Sequence, residues 1–261
     1  MIRAYSTSPS SHELQALASK KTGAAHRGAH KGCTRSALLA CRKRGGYDRL
    51  ARVNTQAAEP ATPARGKLIV FEGIDGTGKS THIRLLTQYL EERGHTVCTS
   101  FEPTRGEWGM RVRQAAISGT RLSVAEEIRC LLQDRREHVE RLIAPALARG
   151  SWVLLDRYYL SMMAYQGATG ADVQQIREWN EAFAPAPDLA FWLDIPVELS
   201  MQRIQARGQG SDAFEKRPFQ EAVAHIYAGM SFPWLHRIDA TGTAEATQAA
   251  IRHTVQQTLG V

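Results

Sequence analysis

Cysteine is scarce, with four in 261 residues, and those four are poorly placed for covalent or metal chemistry. Cys33, Cys41, Cys98 and Cys130 form no C-x-x-C pair and do not alternate with histidine at ligand spacing. That argues against a disulfide framework and a zinc site, and makes a reducing compartment the default. Long apolar runs are missing too: none approaches the ~20 residues that a membrane span requires, so no membrane partner is expected. No internal repeat is present. Acidic residues are nearly absent from one region, residues 1–65, where twelve Lys and Arg face only Glu13, Asp48 and Glu59, a net of +9. The whole chain carries +7, so the other 196 residues are net −2 and present no broad basic face to a nucleic acid.

Residues 1–65 also lack sustained helical or strand periodicity and end in a stretch containing Pro60 and Pro63. Such a segment buries too little apolar surface to offset its ordering entropy, so a disordered basic extension is expected there. Three readings of it stay open. It is Arg- and Ser-rich like an organellar transit peptide, it has the character of a non-functional extension, or it is a basic arm for a partner. The location expected is the cytoplasm, or the mitochondrion or plastid if the segment is a transit peptide.

What is present begins at Lys67. Lys67 to Glu72 reads as a buried strand, and Ile83, Leu86 and Leu90 recur at helical spacing beyond it. Between them Gly73, Gly78, Lys79 and Ser80 fit G-x-x-x-x-G-K-[ST], a loop whose backbone N–H groups cradle phosphate. Gly73, Ile74, Asp75, Gly76, Thr77, Gly78, Lys79, Ser80 and Thr81 are therefore expected to hold ATP. Lys79 would reach the β- and γ-phosphates and the Ser80 hydroxyl would hold Mg²⁺.

Further strands are expected at His95 to Phe101, Ser151 to Asp156, Leu189 to Asp194 and Leu235 to Ala240, with helices between them. That alternation predicts an α/β P-loop NTPase fold, a five-stranded parallel sheet flanked by helices on both faces, in one domain over 66–261. Ser123 to Glu126 is a capping box opening a long helix on which Ile128, Leu131, Arg135 and His138 share a face. Pro196 suits the first turn of a helix carrying Arg203 and Arg207.

A switch-type GTPase needs an N-K-x-D or T-K-x-D base reader, and a transport ATPase needs an L-S-G-G-Q signature; neither occurs. Phosphoryl transfer to a small acceptor remains, and it requires a second anion site facing the first. Arg113, Arg135 and Arg157 lie where strand ends should converge, and three guanidinium groups there would hold a nucleoside monophosphate. Asp156 occupies a Walker-B position near Mg²⁺ and Lys79, and Asp75 is free to face the acceptor sugar. Arg203 and Arg207, beside the loose Gly208 to Ser211 segment, are candidate lid arginines over the moving phosphoryl group.

From Lys67 to the C-terminus the chain resembles the thymidylate kinases. The resemblance rests on Phe71 to Ser80, Glu102-Pro103-Thr104, Asp134 to His138, Asp156 to Gly167 and Ile238-Asp239-Ala240. It implies the reaction ATP + dTMP → ADP + dTDP with Mg²⁺, and a homodimer. It further implies that Gln166 reads the thymine edge, that Tyr165 lies near the deoxyribose, and that Asp75 and Glu102 lie near the acceptor's sugar and phosphate. Gly76 stands where one branch of the family has an arginine, which assigns the catalytic arginine to the lid, here Arg203 or Arg207. Two positions depart from the pattern: Leu131 replaces a phenylalanine that stacks on thymine, and Ala213 replaces the arginine after Asp212. The alternatives are a kinase for dUMP or a deoxynucleoside, and a catalytically impaired nucleotide-binding protein.

Overall fold

The computed structural model describes residues 65–120, 122–206 and 217–261. The expectations for the basic extension, for Arg207 and for Asp212 and Ala213 lie outside the described residues. Five strands form one parallel sheet: β1 (Leu68–Glu72), β2 (Val97–Phe101), β3 (Trp152–Asp156), β4 (Leu189–Asp194) and β5 (Leu235–Asp239), in the order β2-β3-β1-β4-β5. The sheet is the one expected from the sequence. β1 lies in the middle because its five residues, Leu-Ile-Val-Phe-Glu, can all be covered, and all five are buried. Phe71 meets Phe191 of β4 with ring centroids 5.3 Å apart.

The chain builds first to one side of β1 and then to the other, which opens a crevice at the carboxyl end of β1. Register fixes what meets there, since Phe71 pairs with both Asp156 and Phe191. The phosphate loop and the Asp156-Arg157 pair therefore emerge side by side.

Around the sheet lie α1 (Lys79–Glu91), α2 (Glu107–Ser118), α3 (Val124–His138), a π-helical turn (Val139–Ile143) and α4 (Ala144–Ala148). They are followed by α5 (Tyr159–Ala168), α6 (Val173–Glu181), α7 (Val197–Ala206), α8 (Arg217–Ala228) and α9 (Ala244–Leu259). Ser123 caps α3 by accepting from the Glu126 backbone N–H at 3.3 Å. Ile128, Leu131, Arg135 and His138 are all buried on one face of α3. The helix α2 is an addition to the sequence reading, which placed only Arg113 after β2. Among the described residues, no helix is long and apolar enough to cross a membrane.

Candidate active site

The loop after β1 is shaped by the absence of side chains. Gly73 has φ 132°, and a Cβ there would lie 2.6 Å from the Leu193 carbonyl oxygen. Gly76 has φ 78°, and its Cβ would lie 2.8 Å from the Ser200 carbonyl oxygen on α7. No arginine fits at that position. The Ser200 hydroxyl donates to the Asp75 carbonyl at 2.6 Å, so α7 clamps the loop from above.

Lys79 is buried, and its Nζ donates to the Gly73 and Ile74 carbonyls at 3.1 and 3.0 Å while lying 3.8 Å from Asp75 Oδ1. Burial, and then the charge of Arg157, push its pKa down against the opposing pull of Asp156, Asp75 and Glu72. Thr77 closes the turn by donating from Oγ1 to the Ile74 carbonyl at 3.1 Å. Ser80 Oγ donates to Asp156 Oδ2 at 2.7 Å, while Thr81 is exposed on the first turn of α1. A hydroxyl and one carboxylate at the mouth of a phosphate loop suit Mg²⁺, which takes few protein ligands and shares the rest with phosphates.

On the other side of the loop is a cavity of about 290 Å³. Its walls include Asp75, Glu102, Arg113, Leu131, Arg135, Arg157, Tyr165 and Gln166, so the eight residues expected around the acceptor are brought together. Their roles within it differ. Arg157 sits at φ 71°, and that left-handed step turns its guanidinium back under the phosphate loop. Its Nη1 donates to the Gly73 carbonyl at 3.2 Å and to Ser161 Oγ at 3.1 Å; its Nη2 donates to Asp75 Oδ1 and to Tyr165 Oη, the latter at 3.1 Å. Burial alone would push the Asp75 carboxyl up, but Arg157 and Lys79 outweigh it and hold the group at about 2.

Arg113 donates from Nε to the Pro103 carbonyl at 2.9 Å and lies over the Phe101 ring. Arg135 is only 2% exposed. Its Nε donates to Glu102 Oε2 at 2.8 Å, and its Nη1 donates to Asn180 Oδ1 at 2.5 Å. Glu102 also meets His138 Nδ1 at 2.9 Å. A guanidinium this deep needs a carboxylate beside it, and Glu102 supplies it, so the two face the acceptor cavity as an ion pair. Gln166 is 3% exposed, and among the described residues its Oε1 has no hydrogen-bond partner. Arg203 does not extend over the acceptor cavity. Its Nη2 donates to the Ala240 and Thr241 carbonyls at 3.1 and 3.4 Å, and its Nη1 reaches the Gly76 carbonyl at 3.5 Å.

The sequence reading missed Glu72. Its carboxylate is fully buried and accepts from the Tyr158 backbone N–H at 2.9 Å, from Ser161 Oγ at 2.5 Å and from Tyr227 Oη at 2.9 Å. Burial raises its pKa to about 6, against the opposing pull of Ser161 and Arg157. A carboxylate closing an otherwise apolar strand, Leu-Ile-Val-Phe-Glu, was the available signal.

Comparison with known proteins gives one consistent result. The thymidylate kinase family profile matches residues 71–251. A thymidylate kinase of Akkermansia muciniphila is 58% identical over 188 residues, covering 72% of this chain and 90% of the relative. One from Desulfotalea psychrophila is 47% identical over 195 residues (74% and 96%), and one from Xanthomonas oryzae pv. oryzae is 49% identical over 181 residues (69% and 79%).

Proposed function

This chain belongs to the thymidylate kinase family and transfers a phosphoryl group from ATP to dTMP, and from that premise we propose which of its residues do the work. Neither a different acceptor nor an impaired binder is favoured beside relatives of this identity.

The backbone amides of Gly73 to Thr81 and the Lys79 ammonium receive the ATP phosphates. Ser80 and Asp156 would hold Mg²⁺, which when bound neutralises charge on the polyphosphate. Arg157 takes the acceptor phosphate, with Arg113 as a second guanidinium on the same wall. Asp75, kept ionised by its two cations, stays an acceptor for the substrate's hydroxyl groups and separates Lys79 from Arg157. Tyr165 packs near the sugar.

Leu131 and Arg135, four residues apart on α3, build the base end of the cavity together with Gln166. The unpaired Gln166 Oε1 suits the N3–H of thymine, a donor that cytosine lacks. Arg203 serves the donor side, where it ties the phosphate loop to the turn after β5. Arg207, which lies outside the described residues, is kept beside Arg203 as the candidate lid arginine for the transferring group.

The observation that carries this reading is the position of Arg157, bonded at once to the phosphate loop through Gly73 and Asp75 and to the cavity wall through Ser161 and Tyr165. It supports a single cation spanning donor and acceptor anions. Arg157→Ala should lower turnover of dTMP by roughly 10³-fold while ATP still binds, as read by a coupled assay and nucleotide titration. Near-normal turnover would remove Arg157 from the mechanism. We further propose that the kinase domain is residues 66–261, that it works as a homodimer, and that it acts in the cytoplasm, or in the mitochondrion or plastid if residues 1–65 are a transit peptide.

A further inference from the structure

Arg157 does not hold its own position. Its backbone is in the left-handed region, and the next peptide N–H, that of Tyr158, is taken by Glu72 Oε1 at 2.9 Å. Its Nη1 rests on Ser161 Oγ at 3.1 Å, and the same hydroxyl donates to Glu72 Oε2 at 2.5 Å. An ionised carboxylate only accepts, so the Ser161 proton points at Glu72 and the lone pairs of Ser161 are left for the guanidinium. Tyr227, donating to Glu72 Oε2 at 2.9 Å from α8, keeps the carboxylate from rotating. One buried side chain thus sets both the main-chain step and the side-chain rest of Arg157.

We propose that Glu72 is a positioning residue for the acceptor half-reaction, acting through Ser161 and Tyr158 to aim the Arg157 guanidinium at the phosphate of dTMP. The inference rests on the assignment of Arg157 to that phosphate. The competing account is that Glu72 merely secures the start of α5. In that case its loss would weaken the fold and ATP binding alike, and would act independently of Arg157.

A double-mutant cycle separates the two, with Glu72→Gln and Arg157→Lys measured singly and together for kcat, KM for dTMP and KM for ATP. Glu72→Gln should lower kcat/KM for dTMP by about ten- to a hundred-fold, with KM for ATP within about two-fold of the parent. In the Arg157→Lys background the same change should cost less than about three-fold, because the group it aims has already gone. Equal losses on both backgrounds, or a rise in KM for ATP in step with that for dTMP, would overturn the proposal.

If Glu72→Gln does not fold, Ser161→Ala enters the same cycle, with the same non-additivity expected and additivity again overturning the idea. If Arg157→Lys alone turns over dTMP normally, the assignment of Arg157 fails and takes the inference with it. An impaired Arg157→Lys with an additive cycle defeats the inference alone.

Discussion

Glu72 is a carboxylate sunk where three donors solvate it and, among the described residues, no salt bridge reaches it, and its acid–base behaviour should show in stability. Its folded pKa of about 6 lies above the ordinary carboxyl value, so the folded state binds its proton more tightly than the unfolded chain. That contribution is fully present below the unfolded value of about 4.5 and is lost as pH rises through about 6. Between pH 4.5 and 7.5, urea unfolding should show the parent losing about 2 kcal/mol relative to Glu72→Gln. A difference flat with pH would contradict this. At the base end, Gln166→Leu should raise KM for dTMP about ten-fold or more and leave KM for ATP alone, since the thymine N3–H would be buried without an acceptor.

Among single residues, Lys79, Ser80, Asp156 and Arg157 were legible in the sequence because a loop of fixed length and adjoining strand ends place them with little freedom. The ion pair between Arg135 and Glu102 was not. Pairing between side chains 33 residues apart depends on how α3 lies against the β2 end, which spacing along the chain does not carry.

The elements differ in how loudly they announce themselves. The helix α3 opens on a serine that caps it, and Ser123→Ala should cost about 1 kcal/mol, read as a lowered melting temperature. The helix α2 gives no such signal. It begins after Gly106 without a side-chain cap and stops at Gly119 in the left-handed conformation, so only Val112 and its partners on the buried side mark it. Yet it carries Arg113 to the cavity. Strands β1, β3 and β4 were visible as uninterrupted apolar runs. β2 was read two residues too long at its start, because an edge strand begins where its one neighbour does, and Val97 pairs with Trp152, the first residue of β3. On the donor side, Arg203→Ala should raise KM for ATP several-fold without moving KM for dTMP, because its hydrogen bonds among the described residues join the phosphate loop to the turn after β5.

For the whole molecule, the first described residue is already tied to the sheet: Arg65 Nη1 lies 3.0 Å from Asp188 Oδ2, and the same carboxylate oxygen accepts from the Leu68 backbone N–H at 2.9 Å. A chain begun at Arg65 should therefore keep its turnover and melting temperature, and a large loss of either would show that the basic extension contributes to the fold.

The central strand also acts as a seam. Apart from Asp75, the acceptor cavity is lined by residues that come after β2 and before β4, whereas Ser200, Arg203 and the Ala240 turn come after β4. On the proposed roles, the acceptor contacts are thus concentrated on one contiguous length of polypeptide, whereas the donor contacts are divided between the phosphate loop, Asp156 and the segment after β4. Grafting the 102–166 stretch from a relative with another pyrimidine preference, with Asp156 and Arg157 kept, should retune what is phosphorylated while leaving KM for ATP unchanged.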